Sequence, residues 1–124
     1  MSSKVEMVLR ILLALSLLVF GLNKFLYFIP NPPMDGTAAE LMNIYVTSGF
    51  MKMIGGLEIL AGISFLVNKF VPLSLAIMIA IIFNAVVFHL LHDMEGLAPA
   101  VGSLILLLIL VYYNKSHFTK LLSA

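Results

Sequence analysis

Apolar residues collect into four runs, residues 5–28, 49–67, 70–91 and 97–113, separated by short polar connections. An α-helix needs about 20 residues to cross about 30 Å of hydrocarbon, so this pattern predicts four transmembrane helices. The first connection is the only long one. Pro30, Pro32 and Pro33 end the first helix, and Asp35-Gly36 is a turn signal. Thr37 and Glu40 then have capping-box spacing ahead of Leu41, Ile44 and Tyr45, which predicts a short amphipathic helix on the outer surface. Ser48 and Gly49 separate it from the second span, and Asn68 with Pro72 brackets a tight turn into the third. Pro99 occupies a tolerated first-turn position of the fourth. The expected fold is an all-α membrane protein, a four-helix transmembrane bundle with one surface helix between helices 1 and 2. Residues 1–124 form a single domain, with no linker or internal repeat to divide them.

Composition strengthens this reading. Of 124 residues, 62% are hydrophobic and 10% charged, outside the range of soluble domains. A net charge of +1, without a basic cluster interleaved with aromatics, excludes nucleic acid as a partner. Cysteine is absent, which removes dithiol redox chemistry, thiolate-held iron–sulfur clusters and covalent haem attachment. No nucleophile–base pair, phosphate-cradling glycine loop or metalloprotease motif occurs, so no catalytic residue is assigned.

The charges are distributed unevenly. Lys4, Arg10, Lys69, Lys115 and Lys120 fall on one side of a four-helix path, whereas the connections on the other side carry Asp35, Glu40, Asp93 and Glu95. The positive-inside rule then puts both termini in the cytoplasm, with the bacterial cytoplasmic membrane as the expected location. The first run lacks a small-x-small cleavage site and continues through Asn23 and Lys24 to Tyr27 and Phe28, so it is read as an uncleaved helix.

Against this apolar background, Glu58 stands in the middle of the second span, with Gly55 three residues before it and Gly62 four after. Those spacings share one helix face, and small residues there admit a neighbouring helix, so Glu58 is expected to point into the bundle. Gly21 marks a similar face beside Lys24. At 1.5 Å per residue, Lys24 lies roughly 6 Å, Lys52 about 5 Å, Glu58 about 13 Å, Asn84 about 10 Å and His89 about 3 Å below the outer helix ends. Lys24, Glu58, Asn84 and His89 are therefore pocket candidates in the outer half of the bilayer, above an apolar inner half. Each has a plainer reading. Lys52 and Lys24 can snorkel to the interface, a Lys24–Glu58 pair can be purely structural, and Asn84 can serve as interhelical hydrogen-bond glue. His89 and His92 stand at metal-ligand spacing, but rim histidines are ordinary and no metal is assigned.

Phe20-Gly21-Leu22-Asn23-Lys24-Phe25, Gly55-Gly56-Leu57-Glu58-Ile59-Leu60-Ala61-Gly62 and a third helix ending in His89 resemble the DoxX-like family of small four-helix integral membrane proteins. The resemblance covers most of the chain and implies Gly21, Lys24, Glu58 and His89 as the positions to carry over. The family takes its name from subunits associated with a thiosulfate–quinone oxidoreductase, and its wider relatives help assemble or move other membrane proteins. Three functions are expected in order. The first is an accessory or assembly subunit that binds a larger membrane protein complex. The second is a quinone-interacting subunit, with Lys24 or His89 donating to the quinone and Glu58 exchanging protons, which requires a partner carrying the redox centre. The third is a small-molecule or ion carrier. The absence of Arg from the outer half argues against a small oxyanion as ligand.

Overall fold

The computed structural model describes residues 3–30 and 32–123; positions 1, 2, 31 and 124 of the expected single domain lie outside the described residues. Those residues form six α-helices: α1 (Ser3–Leu26), α2 (Gly36–Thr47), α3 (Phe50–Val67), α4 (Val71–His92), α5 (Leu97–Tyr113) and α6 (Lys115–Leu122). A 3-10 turn, Met94–Gly96, joins α4 to α5. Four segments are long and apolar enough to cross a membrane: Lys4–Leu26, Phe50–Val67, Val71–His92 and Met94–Tyr113. The chain is an integral membrane four-helix bundle.

The long helices follow one another around the bundle in the order α1, α3, α4, α5, with α1 packed most extensively on α3 and α4 on α5. α2 covers one end against α3 and α4, and α6 touches α5 at the other. Leu13, Ala14, Leu17, Ala61, Phe65, Leu75, Met78, Leu107 and Leu110 form a continuous buried core toward the α6 end. Large apolar side chains point outward along every span, among them Leu12, Leu60, Phe83 and Ile105, each more than half exposed. Exposure on that scale around all four helices is what lipid contact requires and what water penalises.

The helix ends differ from the sequence reading for local reasons. α1 stops at Leu26, before the prolines, because Tyr27 turns left-handed at φ +53° and Asn23 hooks the chain. Asn23 Oδ1 accepts from Ile29 N at 2.7 Å, and Asn23 Nδ2 donates to Ile29 O at 3.4 Å. The expected Thr37 cap is not used. Asp35 is the residue before α2, in extended conformation, and Gly36 at φ +58° starts the helix two residues earlier than a Thr37 cap would, placing Thr37 inside the first turn. Gly49, at φ +85°, makes the break between α2 and α3 that its position suggested. At the α6 end, Asn68 (φ +58°) and Phe70 (φ +59°) reverse the chain between α3 and α4. Ser64 Oγ donates to Lys69 O at 2.5 Å and Ser74 Oγ donates to Ser64 Oγ at 2.8 Å, so one serine pair latches this turn.

Arg10 has a role beyond its charge. It is only 6% exposed, its Nε donates to Glu6 at 3.0 Å, and its Nη1 donates to the Phe65 carbonyl in the last turn of α3 at 2.5 Å. The last carbonyls of a helix have no intrahelical donor, and a cation there also meets the negative end of the helix dipole. Arg10→Met should cost about 2 kcal/mol, since a buried carbonyl and the Glu6 carboxylate lose their donor while the side-chain volume is retained. Equilibrium unfolding in mixed micelles measures this, and an unchanged midpoint would show the contact to be dispensable.

Candidate functional site

The α1–α3 contact is built from small residues at matched heights. A Cβ added at Gly21 would lie 2.9 Å from the Gly55 carbonyl oxygen, and one added at Gly55 would lie 2.9 Å from the Gly21 carbonyl oxygen. The two backbones touch there. One step further along, Gly62 faces Ala14 and Leu18, where an added Cβ would be 3.1 Å from the Ala14 carbonyl. Without side chains between them, the helices approach closely enough for short polar groups near the contact to meet.

Lys24 and Glu58 do so. Lys24 Nζ lies 2.7 Å from Glu58 Oε1, joining the last turn of α1 to the middle of α3. The Glu58 side chain is 8% exposed and that of Lys24 19%, so the lysine is the more accessible member of the pair. The ammonium approaches Oε1 off the line of a directed hydrogen bond, leaving that buried oxygen with an ion-pair partner and no hydrogen bond. Lys24 Nζ also donates to the Phe20 carbonyl at 3.4 Å. Arg10 at one end and Lys24 at the other thus tie α1 to α3 at two heights.

The other candidates occupy different surroundings. Asn84 is exposed, and its Nδ2 donates at 2.8 Å to Ala80 O on its own helix. His89 Nδ1 lies 3.2 Å from Asp93 Oδ2 and 3.1 Å from Asp93 O, so this ring braces the end of α4 against the turn that follows. Gly96 lies against the same imidazole, and a Cβ there would overlap it. His92 is exposed and its ring lies 5.6 Å from that of Phe88, in an aromatic group where Tyr45 reaches Phe50 at 5.3 Å and Phe88 at 6.4 Å. Lys52 is exposed. Among the described residues neither Asn84 nor His89 makes a hydrogen bond or ion pair with Glu58, and no three His, Asp or Glu side chains form a group able to hold a metal ion.

Two clefts open at the α2 end. The larger, about 410 Å³, is lined by Pro33, Met34, Asp35, Ala38, His92, Asp93, Met94 and Glu95. The smaller, about 280 Å³, lies between α2 and the segment before it, along Pro32, Met34, Ala39, Met42, Asn43 and Val46. Neither cleft is lined by Lys24, Glu58, Asn84 or His89. A quinone ring needs an apolar slot beside its hydrogen-bond partners. The Lys24–Glu58 contact is packed against two touching glycines, and the larger cleft is bordered by three carboxylates.

Three polar contacts carry no signal in the apolar pattern. Arg10 bonds a backbone carbonyl, which every residue supplies. The Ser64–Ser74 latch depends on the turn geometry. His89 is claimed by Asp93, four residues on, a spacing that could have been read from the sequence. Comparison with protein-family models, curated proteins and solved structures finds no match for this chain.

Proposed function

We propose that this chain is a small DoxX-like accessory or assembly subunit whose lipid-facing bundle binds a larger membrane protein complex. The observation that carries this reading is the closed Lys24–Glu58 contact. The pair sits against two touching glycines and lines neither cleft, which is how a packing lock is arranged and not how a ligand site is arranged. Exposed apolar faces on all four spans leave ample surface for a helical partner. The asymmetry of basic and acidic residues supports a bacterial cytoplasmic membrane location with both termini in the cytoplasm.

Purification in mild detergent at native expression level, followed by mass spectrometry of proteins and lipids, tests the proposal. A larger membrane protein should be recovered in stoichiometric amount. Recovery of phospholipid alone would remove the accessory reading, and a stoichiometric quinone would favour the redox alternative. Glu58→Gln should leave partner recovery largely intact, because the amide oxygen can still face the Lys24 ammonium. A carrier would instead show Glu58-dependent uptake into proteoliposomes.

A further inference from the structure

The α6 end of the molecule combines basic and apolar chemistry. Lys4, Lys69, Lys115 and Lys120 are all exposed there. The one carboxylate side chain in the described segments at this end, Glu6, is neutralised by Arg10 at 3.0 Å. Asp35, Glu40, Asp93 and Glu95 belong to the opposite end, and Glu58 is paired with Lys24. Four lysines thus stand without a compensating carboxylate.

α6 adds a second feature. At 100° per residue, Phe118, Leu121 and Leu122 fall within an arc of about 100°, with Lys115, Ser116, His117, Thr119 and Lys120 around the remainder. Phe118 packs against the core, while Leu121 is 72% and Leu122 85% exposed. Phe70, 75% exposed, and Tyr112, 64% exposed, add apolar surface at the same end of the bundle, and Lys115 Nζ lies 4.8 Å above the Tyr112 ring. An acidic water-soluble partner would complement the lysines and leave the leucines wet. The boundary between acyl chains and headgroups accommodates both.

We propose that α6 lies in the membrane interface and that Lys115 and Lys120, with Lys69 and Lys4, gather anionic phospholipid headgroups from the adjoining leaflet. The leucines enter the acyl boundary beside Phe118, and the lysines reach the phosphates. This inference needs the bilayer placement and not the accessory reading, so the two can fail separately.

The full chain is reconstituted in phosphatidylcholine vesicles carrying trace spin-labelled phosphatidylglycerol or phosphatidylcholine, and the protein-immobilised fraction of each label is compared. A basic side chain near an anionic surface contributes about fivefold in association, so phosphatidylglycerol should be preferred by at least about that factor. The preference should fall severalfold in Lys115→Gln/Lys120→Gln, with Lys4 and Lys69 retaining a remainder, and close to unity in about 1 M salt, which shortens the Debye length to about 3 Å. Lys52→Gln, at the opposite end, should leave it unchanged. Because the chain has no cysteine, a Leu122→Cys variant carrying an environment-sensitive dye reports separately on burial of α6. The proposal is overturned if the two lipids bind alike, if the double variant keeps the preference, or if the dye stays in water. An acidic protein lost from the double variant while lipid selectivity is flat would also overturn it, in favour of a protein partner.

Discussion

Lys24→Met is expected to lower the stability of the bundle by about 3–5 kcal/mol, the cost of leaving one member of a buried ion pair uncompensated. Among the described residues no other cation pairs with Glu58. Its side chain is 8% exposed and Oε1 already lacks a hydrogen bond, so losing the ammonium 2.7 Å away strands a carboxylate among apolar groups. Glu58→Leu should cost less. The freed Lys24 is 19% exposed in the last turn of α1, and its long apolar stem lets the ammonium move to the interface. Replacing both residues, Lys24→Met/Glu58→Leu, removes both desolvation costs and should recover most of the loss, because buried ion pairs compare poorly with apolar packing of similar volume. Unfolding titrations of the four proteins in mixed micelles give the coupling energy directly. Additive single effects would show that the two charges do not depend on one another.

The second large effect belongs to the glycines. Gly55→Ala puts a methyl 2.9 Å from the Gly21 carbonyl oxygen, 2.9 Å from Lys24 Cβ and 3.1 Å from the Phe25 ring, and Gly21→Ala meets Gly55 O and Ile59 Cγ1 at 2.9 Å. A backbone carbonyl in a helix cannot step aside, so either substitution must push α1 from α3, at an overpacking cost of about 1–3 kcal/mol. Separation of the helices also draws Lys24 away from Glu58, which brings part of the ion-pair penalty with it. Gly62→Ala should be milder. Its nearest neighbour, at 2.8 Å, is the Leu18 side chain, which can change rotamer, and the Ala14 carbonyl is 3.1 Å away. Gly56→Ala and Gly102→Ala meet nothing within 4 Å and should be neutral or stabilising by up to about 1 kcal/mol through helix propensity. The order Gly21 and Gly55, then Gly62, then Gly56 and Gly102, read from thermal denaturation in detergent, checks the α1–α3 packing. Equal effects at all five positions would contradict it.

The four spans were legible because predominantly apolar runs of about twenty residues leave few alternatives, and the glycine positions were legible because small residues at i and i+3 or i+4 mark a helix face. The sequence left Lys24 between snorkelling to the interface and pairing with Glu58, and the 2.7 Å contact places it in the pair. Asn84 was not placed correctly by periodicity. A depth along the helix does not fix how α4 is rotated, and the Asn84 amide is satisfied by its own helix at Ala80. The α6 helix escaped because eight largely polar residues carry no hydropathy signal. Arg10 was legible as a charge near a terminus but not as a cap, because its partner is the Phe65 carbonyl, whose position depends on the register of α1 against α3. The early end of α1 has a similar cause, a side chain reaching six residues ahead from Asn23 to Ile29.

The central claim is that the Lys24–Glu58 pair locks two helices while the function lies on the outer faces of the bundle. Its most direct test is partner recovery by the charge-free variant Lys24→Met/Glu58→Leu, expressed at native level beside the unaltered chain and checked for equal stability. Recovery of the same larger membrane protein in the same stoichiometry is the predicted result. Loss of that partner from a variant that remains folded would contradict it and would make the buried pair part of the working site.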